Sequence, residues 1–223
     1  MSCAISAADA RADRILNRSA EIVQRSLVYM PGDLFWEQRY GERGRRFAHE
    51  DGAYHVRYLA DAIRAGSMTV MQAYARWLRD LLVPRGMCTL HLSEHLQHIG
   101  EAAAATLGDG PEKEYVDAAI EALKYDEGPP REIQDAAIPL EAELAPLSES
   151  LRRHTRHSAF ETRYLCHYAA DAAHRDNPGW LAAHIDWSRN AFAELGGEAS
   201  VFDRWVDVVK HALAKKGLPE SYF

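Results

Sequence analysis

An all-α protein is predicted by three features of the sequence. Apolar residues recur every three to four positions along most of its length, and no stretch keeps the alternating, β-branched pattern of a strand for more than a few residues. The periodic runs are separated by Gly- and Pro-bearing breaks. With 223 residues, 47% hydrophobic and 26% charged, the chain has globular composition and is long enough for one large domain or two small ones.

The elements follow from that punctuation. Helices are expected at about Ala7–Tyr29, Gly32–Arg39, Arg45–Ala65, Met68–Leu82, Thr89–Leu107 and Glu112–Tyr125. The breaks between them are Pro31-Gly32, Gly41 with Gly44, Ala65-Gly66-Ser67, Pro84-Arg85-Gly86 and Gly108-Asp109-Gly110-Pro111, which cap or stop a helix. Glu127-Gly128-Pro129-Pro130 reads as a hinge. Beyond it helices resume at about Ile133–Arg153, His157–His174, Pro178–Glu194 and Ser200–Lys215, with Pro139 and Pro146 expected to kink or break the first. The expected organisation is therefore a first half over 1–127 and a second helical half over 131–223.

Charge and composition exclude several function classes. A net charge of -7 disfavours nucleic acid and anionic membranes, because both reward basic surface. Three cysteines, Cys3, Cys88 and Cys166, give an odd set without a C-x-x-C pair, so neither a disulfide framework nor a zinc knuckle is suggested. Asp9 and Asp13 interrupt the Ala-rich start, unlike a signal peptide, and no run of 18 apolar residues occurs, so a cytoplasmic protein is expected. Nucleophile elbow, phosphate loop, kinase set and Rossmann fingerprint are all missing, so the chain reads as a binder and not an enzyme.

The most informative segment begins at Arg43, Arg45 and Arg46 and carries Asp51, Arg57-Tyr58 and Ala65-Gly66. It is followed by Leu78-Arg79-Asp80 and Arg85-Gly86-Met87. This ordered set resembles the phycobiliproteins and their relatives, the bilin biosynthesis-associated globins of heterotrophic bacteria. The likeness covers roughly Arg43 to Thr106, and the flanking helices share only its pattern. The resemblance implies a globin-like, phycobiliprotein-like helical fold. It also implies a bound linear tetrapyrrole, biliverdin or a reduced bilin, held for carriage, storage or sensing. Bilin-biosynthesis enzymes would be partners, and a homodimer through Ala7–Tyr29 is compatible with it. Two positions depart from the pattern. Ala48 stands where the family has its thioether cysteine, so attachment there is excluded and the bilin would be non-covalent. Glu50 stands where many members have a propionate-binding Arg.

The chemistry of a bilin gives these residue types a reason. A carboxylate facing the inner edge of a linear tetrapyrrole accepts several pyrrole N–H bonds at once, and such charge-assisted bonds are strong. Asp51 fits that role, and Phe47, Asp51, Tyr54 or His55, and Tyr58 fall on one helical stripe. Arg43, Arg45 and Arg46 are candidates for the propionates, whose geometry matches a guanidinium fork. Tyr54, Tyr58 and Trp77 are candidates for the ring faces. Ordinary readings remain open beside these: a solvated or salt-bridged Asp51, an exposed Arg-rich helix start, and Tyr58 and Trp77 as core.

His91, His95 and His98 share a helix face at i, i+4, i+7 with Glu94 and Glu101 interleaved. One helix alone does not close a metal's coordination sphere, and paired Glu-x-x-His motifs are missing, so a packed or solvated His face is expected; metal or heme is the remote alternative. Cys88 and Cys166 read as small buried hydrophobes. Finally, the halves resemble each other: Arg57-Tyr58-Leu59 matches Arg163-Tyr164-Leu165, and Trp77 with Gly86 recurs as Trp187 with Gly196 if about four residues are inserted. On that alignment, Ala48–Ala102 against His154–Ala212, His157 replaces Asp51, and only the first half is expected to bind. The alternative is chance among Ala-rich helices. The competing function is a ligand-free, globin-like interaction or sensor protein.

Overall fold

The computed structural model describes residues 6–30, 34–149 and 162–218. The described residues form eleven α-helices and no strand. They are α1 (Ala7–Asn17), α2 (Ser19–Ser26), α3 (Leu34–Arg39), α4 (Gly41–Ala65), α5 (Met68–Leu82), α6 (Thr89–Leu107), α7 (Glu112–Leu123), α8 (Gly128–Leu144), α9 (Thr162–His174), α10 (Gly179–Glu194) and α11 (Ala199–Lys215). No described helix is long and apolar enough to cross a membrane.

Local chemistry explains where these helices begin and end. The Ser6 hydroxyl accepts the Asp9 N–H at 3.0 Å and caps α1. The expected single helix over Ala7–Tyr29 is interrupted at Arg18, whose backbone leaves the helical region (φ -111°, ψ 14°). Gly44 lies inside α4, because the helix starts earlier than expected, at the left-handed Gly41. At Gly52 an added Cβ would meet the Val23 side chain at 2.9 Å, so glycine there permits the close crossing of α2 and α4. Pro129 and Pro130 occupy the first turn of α8, where a missing N–H loses no hydrogen bond. Pro139 is accommodated within α8, which ends at Leu144 ahead of Pro146. The ends expected at Arg153 and His157 lie outside the described residues.

The chain divides into two compact units. The first comprises Met1–Pro84 with His91–Leu123, and the second comprises Arg85–Leu90 with Lys124–Phe223. In the first unit α4 packs on α1, α2, α3, α5 and α7, and α5 packs on α7. Ala12, Ile15, Ile22, Val56, Leu59, Met71, Leu96 and Ile99 are among its fully buried side chains. The end of α6 is closed by arginines from α1: Arg14 donates to Leu107 O at 2.9 Å and Arg11 to Gly108 O at 2.7 Å. Arg11 also forms a buried ion pair with Glu112 at 2.5 Å.

In the second unit α9 packs on α8, α10 and α11. The segment Arg85–Leu90 is fastened into this unit by a buried polar network. Tyr168 Oη donates to Gly86 O (3.0 Å), and the Thr89 N–H donates to the fully buried Asp171 (2.9 Å), which also accepts from Tyr125 Oη (2.8 Å). Gln134 accepts the Tyr125 N–H (2.9 Å) and donates to Thr89 Oγ1 (3.1 Å). Thr89 Oγ1 lies 2.8 Å from His167 Nδ1. Burial, reinforced by the Arg163 and Lys124 cations, pushes the His167 pKa down to about 3, so its imidazole is neutral.

Candidate functional site

The stripe on α4 is long because α4 is an uninterrupted 25-residue helix. Its outer face carries Phe47 (37% exposed), Asp51, Tyr54 (60%) and Tyr58 (39%), one turn apart in succession; Trp77 on α5 is 54% exposed. Phe47, Tyr54, Tyr58 and Trp77 are thus among the large apolar side chains that the described residues leave exposed.

Tyr74, which pattern reading of the sequence missed, joins the pieces. Its ring stacks on Tyr58 with centroids 3.8 Å apart and planes 14° apart, and it stacks on Trp77 at 5.9 Å. The signal available for it was its i, i+3 relation to Trp77 on an amphipathic helix. The outcome is an aromatic ladder, Tyr58–Tyr74–Trp77, running from α4 across to α5.

Asp51 is half-buried, and among the described residues no cation pairs with it. Desolvation, with Glu50 beside it, raises its pKa. Its charge in turn helps burial to raise the Tyr74 phenol, which puts the carboxylate close to the ladder. The arginines are distributed unequally around it. Arg43 and Arg46 lie over the Phe47 ring at 5.3 and 5.1 Å, Arg46 pairs with Glu50 at 3.8 Å, and Arg45 pairs with Glu37 at 3.5 Å. All three ion-paired or stacked heads are at the exposed start of α4, one to two turns before Asp51.

His55 does not share the outer stripe. It is buried, and its Nδ1 lies 2.7 Å from Tyr74 Oη. Burial first and His95 second hold its pKa well below the usual imidazole value, and burial keeps the Tyr74 phenol protonated, so the hydrogen bond joins two neutral groups. Of the histidines on α6, His91 and His95 are buried. His95 meets His55 edge-on at 4.8 Å and lies 3.1 Å from Tyr29 Oη; His98 stacks on Tyr29 at 4.4 Å; His91 meets Trp36 at 5.9 Å. Burial and His98 lower the His95 pKa to about 4. This face packs through its rings, and among the described residues no group of three His, Cys, Asp or Glu side chains could hold a metal ion. Cys88 and Cys166 are both fully buried, and burial with Glu141 nearby pushes the Cys166 thiol up to about 12.

The second unit repeats several of these relations 110 residues further along the chain. Tyr168 stacks on His184 at 3.8 Å and 12°, as Tyr58 does on Tyr74, and His184 stacks on Trp187 at 6.1 Å. The turn after α4 is closed by Gly66 N–H to Ile63 O and Ser67 N–H to Ala62 O. The turn after α9 is closed by Asp176 N–H to Ala173 O and Asn177 N–H to Ala172 O. α6 starts at Thr89 and α11 at Ala199, again 110 apart. In this register Tyr58 corresponds to Tyr168, without the four-residue insertion that the Arg-Tyr-Leu match required.

No protein-family model, no curated protein and no solved structure matches this chain.

Proposed function

We propose that the α4–α5 face of the first unit binds a linear tetrapyrrole, biliverdin or a reduced bilin, without a covalent bond and without catalysing a reaction. Its role is to carry, store or sense the ligand. The observation that carries this reading is an unpaired, half-buried carboxylate, Asp51, near an aromatic ladder whose two outer rings, Tyr58 and Trp77, are open while Tyr74 between them is buried. A desolvated carboxylate without a cation favours a ligand that brings N–H donors. Open rings at Tyr58 and Trp77, backed by the buried Tyr74, favour one that brings a π face. Arg43, Arg45 and Arg46, near the other end of the stripe, suit the propionates. The family resemblance of Asp51, Arg57-Tyr58 and Ala65-Gly66 supports the identity of the ligand. Ala48 in place of a thioether cysteine supports its non-covalent hold.

The two units are read here as diverged copies of one globin-like helical unit, in register at 110 residues. The recurrence of Tyr54, Tyr58, Asp61, Trp77, Arg79 and Gly86 as Tyr164, Tyr168, Asp171, Trp187, Arg189 and Gly196 supports this. The position 110 after Asp51 is Glu161; it and His157, the counterpart in the other alignment, lie outside the described residues. Tyr168 and His184 are buried while Tyr58 is open, so one ligand per chain is expected, on the first unit.

The test is an absorption titration of apoprotein with biliverdin. Binding at one equivalent with a sharpened long-wavelength band is expected. Asp51→Asn, which keeps the shape and removes the charge, should weaken affinity about ten- to a hundredfold, the worth of one charge-assisted bond of about 1.5 to 3 kcal/mol. Acid denaturation should release all colour. A spectrum unchanged by biliverdin would turn the reading toward a ligand-free interaction protein.

A further inference from the structure

One junction is made once in this chain and offered twice. In the second unit the α9 face bearing Tyr168 and Asp171 is covered by a turn: Gly86 O accepts from Tyr168 Oη, and the Thr89 N–H at the start of α6 donates to Asp171. With that turn and the helices packed on α9, Tyr168 and Asp171 are buried to within 1% of completely. In the 110-residue register their counterparts are Tyr58 and Asp61 on α4, and the counterpart of the covering turn is Gly196–Ala199 at the start of α11.

Both counterparts are open. Tyr58 keeps 39% of its surface and Asp61 is partly exposed, its carboxylate held only by the surface arginines Arg57 (3.9 Å) and Arg64 (3.4 Å). On the other side Gly196, Glu198 and Ser200 are exposed, Leu195 keeps 38% of its surface, and no side chain caps the first turn of α11. Gly196 has the same left-handed backbone (φ 86°) as Gly86 (φ 97°), so the two turns begin with the same bend.

We infer that a second copy of this chain seats its Gly196–Ala199 turn on the Tyr58–Asp61 face of α4, forming a homodimer in which the junction seen at Tyr168 and Asp171 is repeated between chains. The inference rests on reading the two units as diverged copies. It assigns each contact in advance: Tyr58 Oη donates to Gly196 O, and Asp61 accepts the Ala199 N–H. The charges agree with that seating, because Glu198 on the incoming turn meets Arg57, which is highly exposed beside Asp61. Leu195, apolar and exposed, comes down beside the open rings of the face. If the exchange is mutual the dimer closes with two-fold symmetry, and each chain contributes one face and one turn. Asp51 lies ten residues before Asp61, about 15 Å along the helix axis. The seated turn therefore covers Tyr58, the α4 ring of the proposed ligand face, so ligand and second chain compete for that ring, while Phe47, Asp51 and Tyr54 lie nearer the start of α4.

The experiment uses the full chain throughout. Sedimentation equilibrium should show a dimer, and Arg57→Glu should weaken it at least about tenfold, with Arg57→Glu combined with Glu198→Arg restoring it. Register is read by mixing Asp61→Cys chains with Glu198→Cys chains under mild oxidation, when only an intermolecular disulfide of mixed composition can join the two new thiols. Circular dichroism of each variant establishes that it is folded. A wild-type chain that stays monomeric up to millimolar concentration overturns the inference. So does a dimer that ignores both charge reversals and gives no mixed disulfide. The ligand reading fails separately: biliverdin that leaves the spectra of both the wild type and the Arg57→Glu monomer unchanged removes the bilin, whatever the sedimentation shows.

Discussion

The α4 face of the first unit and the α9 face of the second are built alike and finished differently. Each presents a tyrosine, then an aspartate three residues on, then a ring stacked from the next helix. On α9 the tyrosine and aspartate are buried under Gly86–Thr89, and every polar atom of Asp171 has a donor. On α4 they are open, and the nearby carboxylate Asp51 has none among the described residues. The contrast separates what a helical pair needs to fold from what it keeps available. A ring stack serves both units, whereas the unpaired carboxylate beside open rings is found on the first alone among the described residues, which is why the binding proposal rests there.

The largest expected effect lies in exchanging that logic. Asp171→Ala strands the buried Thr89 N–H and Tyr125 hydroxyl, and each loses its carboxyl acceptor. At about 1 to 3 kcal/mol for each buried group left unsatisfied, the loss is about 2 kcal/mol or more. Asp61→Ala removes two surface pairs and should change the stability of the monomer by no more than about 0.5 kcal/mol. Urea denaturation, run at a protein concentration where the chain is monomeric, checks both. Equal effects would remove the distinction between a covered and an open face.

Acid acts on both units in the same direction, through His167 in the second, whose pKa burial lowers to about 3, and through two histidines in the first. His55 and His95 are neutral inside the first unit, with pKa values well below normal and at about 4. An unfolded chain protonates histidine near its ordinary value, so below it the unfolded state binds protons that the folded state does not. Stability should therefore be constant above pH 7 and fall as pH drops from about 6.5 toward 4, by at most about 1.4 kcal/mol per pH unit for each histidine. His95→Gln should flatten that slope by roughly one histidine's share while costing some packing at neutral pH. A slope unchanged in His95→Gln would show that the ring is charged or exposed in the folded protein.

Much of this architecture was legible in the sequence, for reasons that differ by element. The bounds of α5 and α6 follow from Gly66, Gly86 and Gly108, where the chain must turn left-handed, so Met68–Leu82 and Thr89–Leu107 could be read directly. The break at Arg18 could not, because an arginine between two amphipathic stretches carries no stop signal. On the candidate site, the i, i+4, i+7 arithmetic placed Phe47, Asp51, Tyr54 and Tyr58 on one face. It did not separate His55, whose burial depends on Tyr74 and His95 arriving from α5 and α6. Tyr74 itself was hidden because a tyrosine on an apolar stripe looks like any core ring. The network of Asp171, Thr89, Gln134 and Tyr125 was illegible altogether: its members are separated by 9 to 82 residues, and no local spacing links them.

A milder version of the comparison uses hydroxyls alone. Tyr168→Phe deletes the 3.0 Å bond to Gly86 O and leaves that carbonyl without the phenol's hydrogen bond. A loss of about 1 kcal/mol is expected, seen as a lowered midpoint without a change in m. Tyr58→Phe keeps the stack on Tyr74 and removes a hydroxyl from a residue that is 39% exposed, so the monomer should be indifferent to it. A drop of similar size in Tyr58→Phe would mean that its hydroxyl is already engaged within the monomer.

The smallest effect is expected at the two matching helix ends. After α4 the left-handed position is Gly66 (φ 61°), and after α9 it is Asp176 (φ 50°), the non-glycine residue with positive φ among those described. The closing hydrogen bonds are the same in pattern, 3.0 and 3.0 Å in the first case and 3.2 and 3.0 Å in the second. The two turns thus differ chiefly in the residue that adopts the strained conformation. Left-handed backbone costs a side-chain-bearing residue about 1 kcal/mol, and a carboxylate at a helix C-terminus also faces the negative end of the dipole. Glycine removes both penalties, but its freer unfolded chain gives back about 0.4 to 1 kcal/mol. Asp176→Gly should therefore stabilise by only a few tenths of a kcal/mol, and Gly66→Asp should destabilise by more, because Arg64 and Asp61 already crowd that end with charge. Thermal midpoints of the two variants decide it. Destabilisation by Asp176→Gly would show that the Asp176 side chain holds the turn through a bond of its own, and the two helix ends would then be alike in backbone only.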